Sequence, residues 1–172
     1  DFSNWGESYG ARGGGGETGQ WRGAKGSFFE GGIRVPTILS LPGTIGAGEV
    51  RHQLVTNMDL MPTILDACGV PRPEADGALD GRSLWPLLDN PAVSTTYGTV
   101  CLQWRGSWMV RAGDWKLMFN GIDTTGLHSR HTEGSRELGQ WHLASLVADP
   151  PEATNFTDAQ PEITTQLREA YE

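Results

Sequence analysis

Residues 22–36 read RGAKGSFFEGGIRVP, and the rest of the chain is read outward from this stretch. Gly23, Gly26, Gly31 and Gly32 mark backbone that turns tightly or lies close to a neighbour. Trp21, Phe28 and Phe29 are aromatics able to pin such a loop to a core. Lys25 has a long reach and is flanked by Gly23 and Gly26, an arrangement suited to stabilising negative charge on a ligand's oxygens. Glu30, between aromatics and Gly31-Gly32, has the chemistry of a general acid. A supporting role fits it better: pairing with Arg22 or Arg34, it holds the loop that aims Lys25. Gly31 and Gly32 are expected to supply backbone conformations that side chains forbid.

Upstream, residues 1–32 form a glycine-rich loop. It is not a phosphate-binding P-loop, because no Gly-Lys-Ser/Thr stands in register, and it follows no identifiable strand as a dinucleotide fingerprint would. Downstream, Arg34–Leu41 (RVPTILSL) reads as a short buried strand closed by Pro42-Gly43. Asn57–Cys68 is the clearest helix: Leu60, Met61, Ile64, Leu65 and Cys68 recur at helical spacing, Asp59 caps the first turn, and Gly69 stops it. Residues 70–96 are a Pro/Asp/Gly-rich connection containing one apolar knot, Leu84–Leu88.

Three strand-like runs follow, Tyr97–Trp104, Ser107–Arg111 and Trp115–Phe119, separated by Gly106 and Gly113-Asp114. Such short turns imply an antiparallel meander. After a polar loop at 120–139, Trp141–Leu146 reads as a fourth strand. Gln160–Tyr171 reads as a closing helix with Ile163, Leu167 and Tyr171 on one face. The expected fold class is therefore α/β, with residues 1–90 ending a larger α/β domain and 91–172 forming a small antiparallel-sheet subdomain with a packed C-terminal helix.

With 13 basic and 21 acidic residues the net charge is −8, and no basic stripe appears, which argues against nucleic acid as a partner. No run is apolar enough to span a membrane, and no signal peptide is visible. The chain starts at Asp1 without Met, so sequence upstream is expected to have been removed or left out. Cys68 and Cys101 show no metal spacing and read as buried free thiols. His128-Ser-Arg-His131 lies in a polar loop and reads as solvated rather than as a metal site. Trp104, Trp108, Trp115 and Trp141 alternate within strands, which favours core packing over stacking on a sugar or aryl ligand. Asn155-Phe-Thr157 is a glycosylation sequon, a pattern frequent by chance.

The stretch 22–36 closely resembles the sulfatase signature R-G-x-K-G-x-x-x-E-G-G-x-R-V-P of the alkaline-phosphatase-like superfamily. The resemblance continues through Leu41-Pro42-Gly43, Met58-Asp-Leu-Met-Pro-Thr-Ile-Leu65, Asp80-Gly-Arg-Ser-Leu-Trp-Pro-Leu-Leu88 and Leu146-Val-Ala-Asp-Pro-Pro-Glu-Ala-Thr-Asn155. These matches, in the right order across most of the chain, resemble the C-terminal portion of a sulfatase. The resemblance implies hydrolysis of a sulfate ester, small-molecule or glycan, with Lys25 contacting the sulfate as a catalytic and substrate-binding residue. Arg22, Glu30, Gly31, Gly32 and Arg34 would support the site. It further implies a divalent cation, usually calcium, held by oxygen ligands. The family's adjacent Asp-Asn pair is broken here, because the chain begins Asp1-Phe-Ser-Asn4; Asp1 or Asn4 is the candidate ligand. The family nucleophile is a formylglycine made from Cys or Ser in C/S-x-P-x-R, and neither cysteine fits. The formylglycine would therefore lie outside this chain, and the chain alone is expected not to turn over sulfate esters.

Two alternatives stay open: a noncatalytic fragment that binds a sulfated ligand or a protein partner, and a related phosphonate or phosphodiester hydrolase. The expected location, by resemblance, is extracellular, periplasmic or lysosomal. The strand at Arg34–Leu41 would lack sheet partners in an isolated chain, so self-association or pairing with the upstream part of the same enzyme is expected.

Overall fold

The computed structural model describes residues 18–72, 79–95, 97–104, 106–121 and 139–172. The chain divides into two compact units, one of residues 1–36 and 99–172, the other of residues 37–98.

The first unit is built on the expected meander. Strands β1 (Val100–Trp104), β2 (Ser107–Ala112), β3 (Trp115–Phe119) and β4 (Trp141–Ser145) form one antiparallel sheet in the order β1-β2-β3-β4. Gly113-Asp114 makes a two-residue hairpin in which Gly113 alone takes a positive φ, the pattern of a II′ turn whose twist suits the strands it joins. Successive side chains point to opposite faces, so β2 and β3 supply two cores at once. One face presents Trp108, Val110, Leu117 and Leu143, covered by α4 (Pro161–Glu169) through Leu167, Ile163 and Tyr171. Tyr171 stacks on Trp108 with ring centroids 4.1 Å apart. The other face presents Met109, Met118 and Ala144, against which Phe29 is buried. Asn155 ties the chain after β4 back to the sheet: its Oδ1 accepts from the Leu143 amide at 3.0 Å and its Nδ2 donates to the Trp141 carbonyl at 2.8 Å.

The second unit centres on a 3-10 turn (Asn57–Asp59) that runs into α2 (Leu60–Ala67). Asp59, completely buried, accepts hydrogen bonds from the Thr56 amide at 2.7 Å, from the Arg82 amide at 2.8 Å and from the Tyr97 hydroxyl. Thr63 Oγ1 accepts from the Leu84 amide at 2.9 Å. These bonds join the block at 58–65 to the block at 80–88. Gly81 is required there by proximity, since a Cβ would fall 2.0 Å from the Met58 carbonyl oxygen. The helix ends in a Schellman arrangement, with the Val70 amide on the Leu65 carbonyl, the Gly69 amide on Asp66, and Gly69 at φ +63. Arg51 donates to the Leu87 and Leu88 carbonyls, closing the C-terminus of α3 (Trp85–Asp89).

Three expectations are corrected. Arg34–Leu41 is not a strand: among the described residues nothing pairs with its backbone, and Val35 and Ile38 are exposed. An apolar run becomes a strand only where a neighbour takes up its hydrogen bonds. The apolar stripe of α2 does not face a core. Pro62 and Thr63 are the buried positions, because the block at 80–88 packs on that side, while Met61 and Ile64 are exposed. Cys68 and Cys101 are likewise exposed free thiols, Cys68 ending α2 and Cys101 on the edge strand β1.

Candidate functional site

Lys25 stands at an exposed turn formed by Ala24–Ser27, closed by the Ser27 amide on the Ala24 carbonyl at 3.0 Å. Gly26 takes φ +91 in this turn, a conformation that favours glycine. The turn rests on a one-turn helix, α1 (Glu30–Ile33). The Gly31 amide donates to the Arg22 carbonyl at 2.7 Å, and Ser27 Oγ accepts from the Phe29 amide at 3.1 Å. The contact is backbone on backbone. A Cβ at Gly31 would lie 2.3 Å from the Gly23 carbonyl oxygen, and one at Gly32 would lie 2.3 Å from that of Ser27. Neither glycine takes a positive φ, so close approach, rather than a forbidden conformation, is what requires them.

Beneath α1 lies a buried ionic cluster. Lys116 is an inward position of β3 and is wholly buried. Its Nζ is 2.9 Å from Glu30 Oε1 and 2.6 Å from Glu152 Oε1. Glu152 Oε2 accepts from the Glu30 amide at 2.6 Å, and the Glu152 carbonyl accepts from Arg22 at 2.9 Å. Arg34 and Arg111 approach Glu30 Oε2 at 3.6 and 4.0 Å. Arg22 also lies over the Phe29 ring at 4.0 Å, and Arg34 over Trp21 at 4.1 Å.

The electrostatics follow from this arrangement. Burial pushes the Glu30 carboxyl up, but Lys116, with Arg111 and Arg34, outweighs it and holds the group below its ordinary value. Burial dominates at Glu152 and raises it, against Lys116 and the Glu30 amide. His142, on β4 against the Phe29 ring, is lowered to about 4 by burial and by the charges of Arg22 and Lys116.

The structure thus gathers Arg22, Lys25, Glu30, Gly31, Gly32 and Arg34 into one loop assembly. Asp1 and Asn4, and the His128/His131 pair, lie outside the described residues. Among the described residues no group of three or more His, Cys, Asp or Glu side chains converges to hold a metal ion. Trp108, Trp115 and Trp141 belong to the core, and Trp104 is 40% exposed. Reading the sequence for site residues missed Lys116, Arg111, His142 and the carboxylate of Glu152. The available signal was a lysine at an inward register position of an otherwise apolar strand, Trp115–Phe119.

A family model described as "N-sulphoglucosamine sulphohydrolase, C-terminal" matches residues 16–172. The chain belongs to the sulfatase family. Among curated relatives, arylsulfatase A of Homo sapiens is 33% identical over 170 residues, covering 90% of this chain and 33% of its own length. N-acetylgalactosamine-6-sulfatase of Rattus norvegicus is 32% identical over 139 residues, covering 69% and 26%. Steryl-sulfatase of Homo sapiens is 47% identical over 75 residues, 44% of this chain and 13% of its own length. This sulfatase chain therefore spans a third or less of these curated relatives. A solved structure of Ps i-CgsB with k-i-k-neocarrahexaose superposes with a TM-score of 0.69 at 22% identity over 92% of this chain and 32% of that one. That likeness supports the α/β fold and its antiparallel sheet with a C-terminal helix. Among the described residues no helix is long and apolar enough to cross a membrane.

Proposed function

We infer that the chain is the C-terminal portion of a sulfate-ester hydrolase and that Lys25 contributes its ammonium to the sulfate-binding site. The observation that carries this reading is the presentation of Lys25. An exposed lysine stands at the corner of a turn whose supports, from Gly31 to the Lys116 cluster, are buried and interlocked. A surface cation with no task does not require such a foundation. A sulfate ester carries a single negative charge, and its hydrolysis moves charge onto the leaving oxygen and the equatorial oxygens. A fixed ammonium beside them stabilises that redistribution more than it stabilises the bound ester.

The formylglycine and the calcium ion that the resemblance implies are not fitted by any described residues, so no step is routed through them. The substrate class is a sulfate ester in general; the relatives' names include aryl, steryl and amino-sugar sulfates. An extracellular, periplasmic or lysosomal setting goes with this reading.

The test uses the full-length protein carrying this chain, assayed against an aryl sulfate, a steryl sulfate and sulfated amino sugars. Lys25→Ala is expected to lower kcat/KM about 100-fold or more on whichever ester is turned over, in line with loss of one preorganised charge-stabilising group. Lys25→Arg is expected to recover part of the loss. Wild-type turnover by Lys25→Ala would overturn the reading.

A further inference from the structure

We propose that Glu152 is a positioning residue for the Lys25 turn, acting as the N-terminal cap of α1 from the far end of the chain. The inference rests on the role given above to Lys25.

α1 is only four residues long, and its own flanking residue, Phe29, offers no side-chain cap. The free amide of Glu30 at its start is instead taken by Glu152 Oε2, 122 residues away in sequence. A carboxylate at a helix start both satisfies an orphan donor and meets the positive end of the peptide dipoles. The same residue reaches Arg22, at the other end of the Lys25 turn, through its backbone carbonyl. Glu152 therefore touches both ends of the segment that carries Lys25, while touching Lys25 itself nowhere. Between these two anchors the turn is laid on α1 by the Gly31 and Gly32 contacts, so a shift of α1 is passed directly to the turn.

Three further observations point the same way. Glu152 is wholly buried, and Lys116 holds its other oxygen, which fixes the carboxylate's direction. Its backbone sits at φ +55, in the left-handed region that a non-glycine residue occupies at a cost of about 1 kcal/mol. A glycine would remove that cost and the carboxylate with it. The turn that sets this geometry is closed by the Glu152 amide on the Asp149 carbonyl at 2.8 Å, and Asp149 Oδ2 in turn accepts from the Thr154 amide at 2.6 Å. The Asp149-Pro-Pro-Glu152 block is thus shaped to aim one carboxylate at one amide.

The experiment is a double-mutant cycle in the full-length protein, with kcat and KM measured on its sulfate ester for Glu152→Ala, Glu152→Gln, Lys25→Ala and the Glu152→Ala/Lys25→Ala pair. Glu152→Ala is expected to lower kcat about tenfold or more while KM moves less, because misplacing a charge-stabilising group costs most in the transition state. Glu152→Gln keeps an acceptor for the Glu30 amide and is expected to recover most of kcat, whereas a role in charge balance alone would leave it as impaired as Glu152→Ala. The pair is expected to fall no lower than Lys25→Ala, since the two residues act through one contact. If Glu152→Ala does not fold, Lys116→Met/Glu152→Leu, which removes both buried charges and keeps the volume, replaces it in the same cycle. Wild-type kcat in the folded variant, failure of Glu152→Gln to recover, or losses that multiply would each overturn the proposal. An inert Lys25→Ala would instead sink the role of Lys25, and is read from that single variant alone.

Discussion

Lys116 Nζ sits 2.9 Å from Glu30 Oε1, with the lysine side chain fully closed from solvent and the glutamate 4% exposed. A sheet residue thereby grips the loop that presents Lys25. Lys116→Met is expected to destabilise the protein by about 3–5 kcal/mol, because it leaves Glu30 and Glu152 buried without their shared cation. Lys116→Arg also fails on size, since no space surrounds the ammonium. Urea unfolding monitored by tryptophan fluorescence checks both; a loss under about 1 kcal/mol for Lys116→Met would contradict the buried-pair account.

Gly31→Ala is expected to cost about 3 kcal/mol or more, because the new methyl meets carbonyl oxygens of Gly23, Arg22 and Trp21 at 2.3–2.8 Å and none of these is a flexible side-chain end. By contrast Gly43→Ala meets open space, and its cost is set by the positive φ alone, about 1 kcal/mol. Equal melting temperatures for the two variants would refute the packing argument.

His142 sets a pH dependence whose sign can be worked out. Its folded pKa of about 4 lies below its ordinary 6.5, so the fold favours the neutral ring. That contribution is fully present above pH 6.5 and is lost as pH falls towards 4, an effect of about 2–3 kcal/mol. Glu152, raised by burial, works in the opposite direction as pH rises above 4.5, and Glu30, lowered by its cations, loses its contribution only below 4.5. His142→Gln removes the ring but leaves both carboxylates. The difference in stability between wild type and this variant is therefore expected to shrink between pH 7 and pH 4.5, as followed by melting temperature. A constant difference would show that His142 does not titrate on unfolding.

In the unit of residues 37–98, Asp59→Ala leaves the Thr56 and Arg82 amides and the Tyr97 hydroxyl without their acceptor. The expected cost is about 3 kcal/mol. Tyr97→Phe removes one of the three bonds and is expected to cost about 1 kcal/mol. Native-state hydrogen exchange at Thr56 and Arg82 checks the ordering: both amides lose protection in Asp59→Ala and keep it in Tyr97→Phe.

Much of the architecture was legible in the sequence because its signals are local. The four strands and the closing helix fall within a few residues of their expected bounds, since Gly106 and Gly113 mark turns and Ile163, Leu167 and Tyr171 repeat at helical spacing. The helix after Asn57 was legible for the same reason, down to its stop at Gly69. The strand expected at Arg34–Leu41 failed because pairing is not local: the apolar pattern records a readiness to be buried, and only a neighbouring backbone converts it into a strand. The inward stripe expected of α2 failed likewise, because periodicity gives the faces of a helix and not which of them is covered.

What the sequence determined by itself was the family, the meander and the loop that carries Lys25, all of which are written in contiguous residue types and short spacings. What only the tertiary structure decided was how that loop is held. Lys116 and Glu152 stand 36 residues apart in the sequence and 2.6 Å apart in space. Their partner Glu30 lies more than 80 residues before either. Burial in a low-dielectric interior is what makes such charges seek one another, and burial is a property of the folded chain alone.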